Sequence, residues 1–193
     1  RFIDGGLVQM ALALESYGFK RFGNTISLFA EPPVEELDVN TYKPKSVVIR
    51  DTQNKFKGAK YIMITGDKIL SPNEENDIGA CTNLDNINGG DVKVILLSSA
   101  GSEGLDFKYI RQIHILEPWY NINRIEQIIG RGIRTCSHKD LPFNQRNVKI
   151  YMHGATMSNP TVETVDLLIY RKAEEKAKQI GIITRILKES SID

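Results

Sequence analysis

The sequence is poor in the residue types that build disulfide, metal and membrane proteins. Its 193 residues include only two cysteines, Cys81 and Cys136, far apart in the chain. This usage excludes a disulfide framework and favours an intracellular, reducing compartment. Cys136 and His138 form a lone C-x-H pattern, which is too little for a metal site, so we expect no metal ligands. We also expect no membrane association, because no apolar run is long enough to span a bilayer and no signal peptide opens the chain.

The chain also lacks a charge of one sign. Its 25 basic and 24 acidic residues give a net charge of +1. No overall field therefore indicates a nucleic-acid partner, and any basic site must be local. No internal repeat or low-complexity tract is present.

The remaining composition, 41% hydrophobic and 25% charged, is that of an ordinary globular chain that can bury a core. Helical and strand patterns alternate along it, which predicts an α/β fold with a mainly parallel sheet. The predicted helices open at Asp4 and Ser71 and cover 122–134 and Thr161–Glu189, the last broken near Gly181; the predicted strands lie at 46–50, 60–66, 92–97, 111–118 and 147–153. Because the sequence begins on a predicted helix, we expect a first strand to precede Arg1, and we interpret residues 19–58 as an insertion.

The helix predicted at 122–134 has two faces. Five isoleucines fall on one arc, at positions 122, 125, 128, 129 and 133. Gln127, Arg131 and Arg134 fall on the opposite arc at spacing i, i+4, i+7. Arginine forks match phosphate oxygens in bidentate geometry, and the small Gly130 and Gly132 let a large ligand approach. The alternative is a solvated helix face without function.

A second phosphate-compatible segment is "SSAGSEGLD", residues 98–106, which directly follows a buried strand. Open α/β sheets bind ligands at the carboxyl ends of their strands, and small residues expose backbone N–H groups to phosphate. Asp106 could accept a hydrogen bond from a ribose hydroxyl. An ordinary Ser/Gly turn is the alternative here. For Trp119, which follows Pro118, base stacking and packing both stay open, and we expect His138 and Lys139 to face solvent.

These segments resemble the motifs of superfamily 2 helicases and translocases. "QIIGRGIR" is similar to Q-x-x-G-R-x-x-R, motif VI; "SSAGSEGLD" resembles motif V; "YIMITGD" resembles the strand and glycine of motif IVa. The resemblance extends to about residue 153. It is to the Swi/Snf-type branch, and most of all to helicases of large nucleocytoplasmic DNA viruses, such as the ATPase subunit of the poxvirus-type early transcription factor and nucleoside triphosphatase I.

The resemblance implies that residues 1–158 form a three-layer, second RecA-like domain, followed by a helical extension at 159–193. Arg131 and Arg134 would be arginine fingers on ATP, and Gln127 would position the γ-phosphate or the attacking water. The resemblance assigns further residues to ATP, namely Gly104, Asp106 and Gly130, and others to the nucleic-acid backbone, namely Ser98, Ser99, Gly101, Thr65 and Gly66. Glu103 stands where many RNA helicases have arginine, which argues against that branch.

The largest departure from the family is the absence of any G-x-x-x-x-G-K-[ST] or D-E-x-H sequence. We therefore expect ATP and Mg²⁺ to be held mainly by an N-terminal RecA-like domain of the same polypeptide, and the 193 residues alone to be inactive. The implied partners are nucleic acid, DNA rather than RNA, and the transcription machinery; for a viral protein, the implied compartments are the virion and the host cytoplasm.

Two other functions remain open on the sequence. One is a non-catalytic RecA-like module that binds nucleic acid or protein. The other is a dinucleotide or nucleotide-sugar enzyme, although no G-x-G-x-x-G follows the first predicted strand.

Overall fold

The computed structural model describes residues 6–23, 27–51, 55–98, 104–159 and 162–191. Within these ranges the helices are α1 Leu7–Ser16, α2 Lys45–Asp51, α3 Glu74–Thr82, α4 Ile122–Gly132 and α5 Val165–Ser190. The strands are β1 Lys20–Arg21, β2 Lys60–Ile64, β3 Val94–Leu97, β4 Gln112–Ile115 and β5 Lys149–Met152. The chain divides into two compact units, residues 1–107 and 108–193.

The first unit is built on a parallel sheet in the order β1-β2-β3. Its central strand is buried on both faces, since Tyr61, Ile62, Met63 and Ile64 are all 0% exposed. This explains why β2 reads as a continuous apolar run rather than an alternating one. Helix α1 covers one face through Ala11, which packs in a core with Tyr61, Met63 and Leu96.

A buried carboxylate ties α1 to the loop that follows β1. Glu15 accepts hydrogen bonds from the Tyr61 hydroxyl at 2.7 Å, from the Ser27 hydroxyl at 2.6 Å and from the Leu28 and Phe29 backbone amides. Burial by itself raises the pKa of Glu15, but these hydrogen bonds outweigh burial and hold the pKa below its usual value. The charged form therefore stabilises the fold above the ordinary glutamate range, and this contribution is lost as the pH falls through the lowered pKa.

The second unit contains the parallel pair β4-β5, in which Gln112 lies beside Lys149 and Ile115 beside Met152. Helix α4 packs on β4, and α5 contacts α4; within α5, Ala173 is buried. No helix in the described ranges is both long enough and apolar enough to span a bilayer.

The predicted α/β class with parallel strands is confirmed, whereas several element boundaries were wrong. Residues 46–50 lie in a helix, α2, and not in a strand; the insertion predicted at 19–58 contains strand β1. Contrary to the prediction, helix α5 is not broken at Gly181 but continues through it. A long helix tolerates one glycine in its interior at a cost of about 1 kcal/mol relative to alanine. The helix predicted from Ser71 starts at Glu74 instead, and Asp4 lies outside the described residues.

Candidate functional site

Helix α4 presents an amide and a guanidinium on one face. The helix starts after Asn121, whose side chain accepts a hydrogen bond from the backbone N–H of Asn123. Ile125 points inward and is 2% exposed, whereas Gln127 is exposed and Arg131 partly exposed. Gln127 and Arg131 are four residues apart in one helix, so their side chains are neighbours on its surface. Among the described residues, neither side chain has a hydrogen bond or ion pair, so both are available to a ligand.

Arg134 is exposed, but it does not belong to that helix face. The helix ends at Gly132, and Ile133 has φ −126° and ψ 78°, outside the helical region. The predicted i+7 relation between Gln127 and Arg134 was therefore wrong, and Ile133 is 42% exposed instead of lying on the buried arc. Arg134 instead begins a loop, in which its backbone carbonyl accepts a hydrogen bond from the Ser137 N–H at 3.0 Å.

The two glycines of this segment serve different purposes. A Cβ added at Gly130 would meet no atom within 4 Å, so this position opens on free space. A Cβ added at Gly132 would lie 3.0 Å from Ile113 Cδ1 and 3.3 Å from Ile110 Cγ2. The expectation that both glycines admit a ligand was wrong for Gly132, which allows α4 to pack closely on β4.

This difference predicts opposite effects of two alanine substitutions on stability. Gly132→Ala should lower the free energy of unfolding by about 1–3 kcal/mol, because the added methyl group crowds the two isoleucines. Gly130→Ala is the matched control: it lies in the same helix, and it should raise stability by up to about 1 kcal/mol through helix propensity. Urea unfolding of the two variants measures both effects, and equal losses would contradict this assignment.

Hydroxyl groups join the carboxyl ends of β2 and β3 in the first unit. Thr65, Ser71 and Ser98 are all less than 9% exposed. The Ser98 hydroxyl donates to the Thr65 carbonyl at 3.1 Å, and the Thr65 and Ser71 hydroxyls lie 2.8 Å apart. The Ser71 hydroxyl also donates to the Met63 carbonyl, which explains why Ser71 does not cap α3. The predicted nucleic-acid residues Thr65 and Ser98 are thus brought together, but their hydroxyls bond within the protein and brace the sheet edge.

Gly66, by contrast, is exposed at this edge with φ 71°. Its backbone N–H, predicted to contact nucleic acid, donates to the Glu74 carboxylate at 3.3 Å. The Asp67 carboxylate accepts from the Ile69 N–H nearby. The Gly66 amide is therefore engaged by a carboxylate, and a nucleic-acid phosphate would have to displace Glu74 to reach it.

The segment after β3 is described only in part. Ser99 and Gly101 lie outside the described residues. Gly104 is exposed, and a Cβ added there would meet no atom within 4 Å. Its φ of +76° lies in the left-handed region, so a residue with a side chain would be strained at this position. Asp106 is exposed on the same stretch.

Sequence reasoning missed the ties that hold the loop after α4. His138 is partly buried, contrary to the expectation of a solvent-facing side chain, and hydrogen bonds engage both of its ring nitrogens. The Tyr109 hydroxyl donates to Asp140 at 2.6 Å. The contacts of His138 with Ile110 and of Tyr109 with Asp140 join residues about thirty positions apart, and no periodic pattern in the sequence indicates them.

Trp119 packs within its own segment. The Arg124 guanidinium lies 3.9 Å from the centre of the indole ring, a cation–π contact across the start of α4. Trp119 remains 42% exposed. The observed contact favours the packing interpretation of this side chain.

The described residues contain no cluster of three or more His, Cys, Asp or Glu side chains able to hold a metal ion. Cys136 is exposed, and Cys81 is buried, where burial raises its thiol pKa to about 11. Helix α4 supplies one side-chain amide and one guanidinium, donors that fit the oxygens of a phosphate group.

Comparison with known proteins assigns the stretch of chain that contains α4 to a family. Residues 37–136 match the helicase conserved C-terminal domain. A candidate ATP-dependent RNA helicase of Acanthamoeba polyphaga mimivirus is 38% identical over 133 residues, covering 66% of the chain and 16% of the relative. Nucleoside triphosphatase I of Choristoneura biennis entomopoxvirus is 37% identical over 119 residues, covering 62% of the chain and 18% of the relative.

A third relative matches the whole chain. A candidate helicase of invertebrate iridescent virus 3 is 36% identical over 197 aligned residues, which cover 100% of this chain and 17% of the relative. The chain thus spans less than a fifth of the length of these three viral proteins.

Proposed function

The chain belongs to the helicase conserved C-terminal domain family, and from this premise we propose that it forms the second RecA-like domain of an ATP-dependent viral helicase or translocase. Such a protein converts ATP hydrolysis into movement along nucleic acid. The observation that carries the proposal is the pair formed by the exposed Gln127 and the partly exposed Arg131, one turn apart on α4 and unpartnered among the described residues.

In this proposal, Arg131 acts on the phosphates of ATP. A guanidinium close to a transferring phosphoryl group stabilises the charge of the transition state. Gln127, on the same helix face, holds the γ-phosphate or orients the attacking water. The open space beside Gly130 leaves room for a ligand of this size at the helix surface. Arg134 is the second finger and is presented by the loop after the helix.

The remaining machinery would come from another domain. Neither a phosphate-binding glycine loop with its lysine nor a D-E-x-H sequence is present in the 193 residues. The residues that hold Mg²⁺ and the β- and γ-phosphates would therefore belong to an N-terminal RecA-like domain of the same polypeptide. The divalent ion neutralises phosphate charge when bound, while this chain supplies side-chain cations only.

On the nucleic-acid side, we propose contacts to the sugar–phosphate backbone. Such contacts position a strand without reading its sequence. The candidates are Ser98, Ser99, Gly101, Thr65 and Gly66. The buried hydroxyls of Thr65 and Ser98 fit a bracing role under this surface better than direct contact, and Gly66 would exchange its Glu74 carboxylate for a phosphate. Asp106 keeps its proposed role towards the ribose of ATP, with Gly104 beside it.

The proposal predicts nucleic-acid-dependent ATP hydrolysis by the full-length protein that carries this chain. Phosphate release should rise when single-stranded or duplex nucleic acid is added, because strand binding and hydrolysis are coupled. We propose DNA as the substrate; four mimivirus relatives are named as RNA helicases, so matched DNA and RNA oligonucleotides should be compared. Stimulation by RNA alone would correct the substrate, and hydrolysis indifferent to either polymer would contradict the proposal.

A further inference from the structure

The loop that carries Arg134 leaves the end of α4 and returns to the start of β4. Arg134 is exposed and lies beyond the last helical residue, so the helix does not set the direction of its side chain. We propose that His138 is a positioning residue for Arg134: it anchors this loop and thereby sets where the guanidinium is presented. The inference rests on the proposed function, in which Arg134 contacts ATP.

A chain of hydrogen bonds leads from Ile110, two residues before β4, to Arg134. The His138 Nε2 lies 2.7 Å from the Ile110 carbonyl oxygen. A carbonyl only accepts, so Nε2 carries the proton, and Nδ1 can accept from the Ser137 hydroxyl, which lies 2.7 Å away. The backbone N–H of Ser137 in turn donates to the Arg134 carbonyl at 3.0 Å. Each link in this chain has good hydrogen-bond geometry, and the chain ends on the backbone of the proposed finger.

A second tie runs parallel to the first. The Tyr109 backbone N–H donates to the Ser137 carbonyl at 3.2 Å, and the Tyr109 hydroxyl donates to Asp140 at 2.6 Å. This last bond raises the pKa of the Tyr109 hydroxyl. Ser137 and Leu141 are each only 5% exposed, so the loop is packed against its unit at these two points. His138 lies between them.

The backbone at these ties is held in an unfavourable conformation. Tyr109 has φ 62° and Cys136 has φ 64°, both in the left-handed region that side-chain-bearing residues rarely adopt. Such residues are strained and persist where the surrounding contacts hold them in place. The loop is thus forced into one shape next to Arg134, which is the requirement for presenting a catalytic side chain precisely.

A double-mutant cycle in the full-length protein tests this inference, with ATP turnover as the readout. We expect His138→Ala to lower kcat by roughly 10- to 100-fold, because small displacements of a catalytic group can cost that much. His138→Gln, which keeps a donor able to reach the Ile110 carbonyl, should recover much of the loss. In an Arg134→Ala background, His138→Ala should change kcat by no more than about twofold, because its effect acts through Arg134. Circular dichroism and urea unfolding show whether each variant is folded.

The outcomes separate this inference from the proposed function. A loss of kcat from His138→Ala that is equal with and without Arg134 would overturn the positioning role. The same holds if His138→Ala leaves kcat unchanged while Arg134→Ala depresses it. If Arg134→Ala itself has no effect, it is the proposed role of Arg134 that fails. Should His138→Ala not fold, Ser137→Ala, which removes only the hydroxyl link, replaces it in the same cycle with the same expectations.

Discussion

Replacing Arg131 by alanine in the full-length protein should lower kcat for ATP hydrolysis by about 10³-fold or more, the range found for arginine fingers elsewhere. The guanidinium is partly exposed on α4 and has no partner among the described residues, so its removal leaves the packing of the helix intact. The lost term is stabilisation of transition-state charge, and it should appear mainly in kcat. Steady-state phosphate release at saturating ATP measures it.

Two further substitutions sharpen this test. Arg131→Lys keeps the charge but loses the planar fork, so it should recover only a small part of the activity. Arg124→Ala removes a cation from the first half of the same helix, where the guanidinium stacks on Trp119. It controls for the change in charge and should leave kcat within a fewfold of the wild type. If all three variants kept the wild-type rate, Arg131 would have no catalytic part.

The 193-residue chain alone should have no ATPase activity above background. The sequence contains no phosphate-binding glycine loop or D-E-x-H box, and the described residues contain no cluster able to hold a metal ion. Arginine side chains alone neither align the attacking water nor neutralise the β- and γ-phosphates as Mg²⁺ does. Malachite-green or coupled-enzyme assays of the purified chain measure this, with and without nucleic acid.

The full-length protein assayed at the same concentration is the control for this prediction. Arg131→Ala should reduce its rate strongly while leaving the rate of the isolated chain at background. Turnover by the isolated chain that persists through purification and depends on Arg131 would refute the half-site account, since the catalytic apparatus would then be complete within these residues.

The sequence predicted the parts of the molecule that depend on local patterns. The apolar runs at 60–66 and 92–97 predicted strands of a mainly parallel sheet, and β2 and β3 pair in parallel there. The 92–97 run also predicted a strand buried on both faces, but in β3 only Leu96 is buried. The isoleucines of α4 predicted its packed face. The α/β class follows from such runs and was confirmed. The predicted strand at 46–50 failed because a short run containing Val47 and Val48 suits either a buried strand or a helix.

The sequence predicted the part of the candidate site that lies within one helix, α4. It did not predict the contacts between separate segments of the chain. Gln127 and Arg131 share a face because helical geometry places residues four apart together. Arg134 does not share this face, because the helix ends at Gly132, where the chain lies close to β4. The anchor formed by His138, Ser137 and Ile110 could not be foreseen, because it depends on hydrogen bonds between segments with no shared periodicity.

The hydrogen bonding of Gly66, at the end of β2, differs from what its sequence position predicts. A glycine after a buried strand predicts an amide open to phosphate, but the Gly66 amide is engaged by the Glu74 carboxylate. Glu74 follows in the first turn of α3, where acidic residues favour the positive end of the helix dipole. The Glu74 carboxylate thus stabilises the N-terminus of α3 and also occupies the Gly66 N–H that was proposed to contact nucleic acid.

The central claim is that Arg131 contacts the phosphates of ATP, and a structure of the full-length protein with nucleic acid, ADP, Mg²⁺ and a fluoride mimic of the transferring phosphoryl group tests it most directly. The account predicts an Arg131 guanidinium nitrogen at about 2.7–2.9 Å from an atom of the mimic, the distance of a charge-assisted hydrogen bond, with Gln127 on the same side of it. A filled nucleotide site with the Arg131 side chain remote from the mimic, still exposed to solvent, would contradict it.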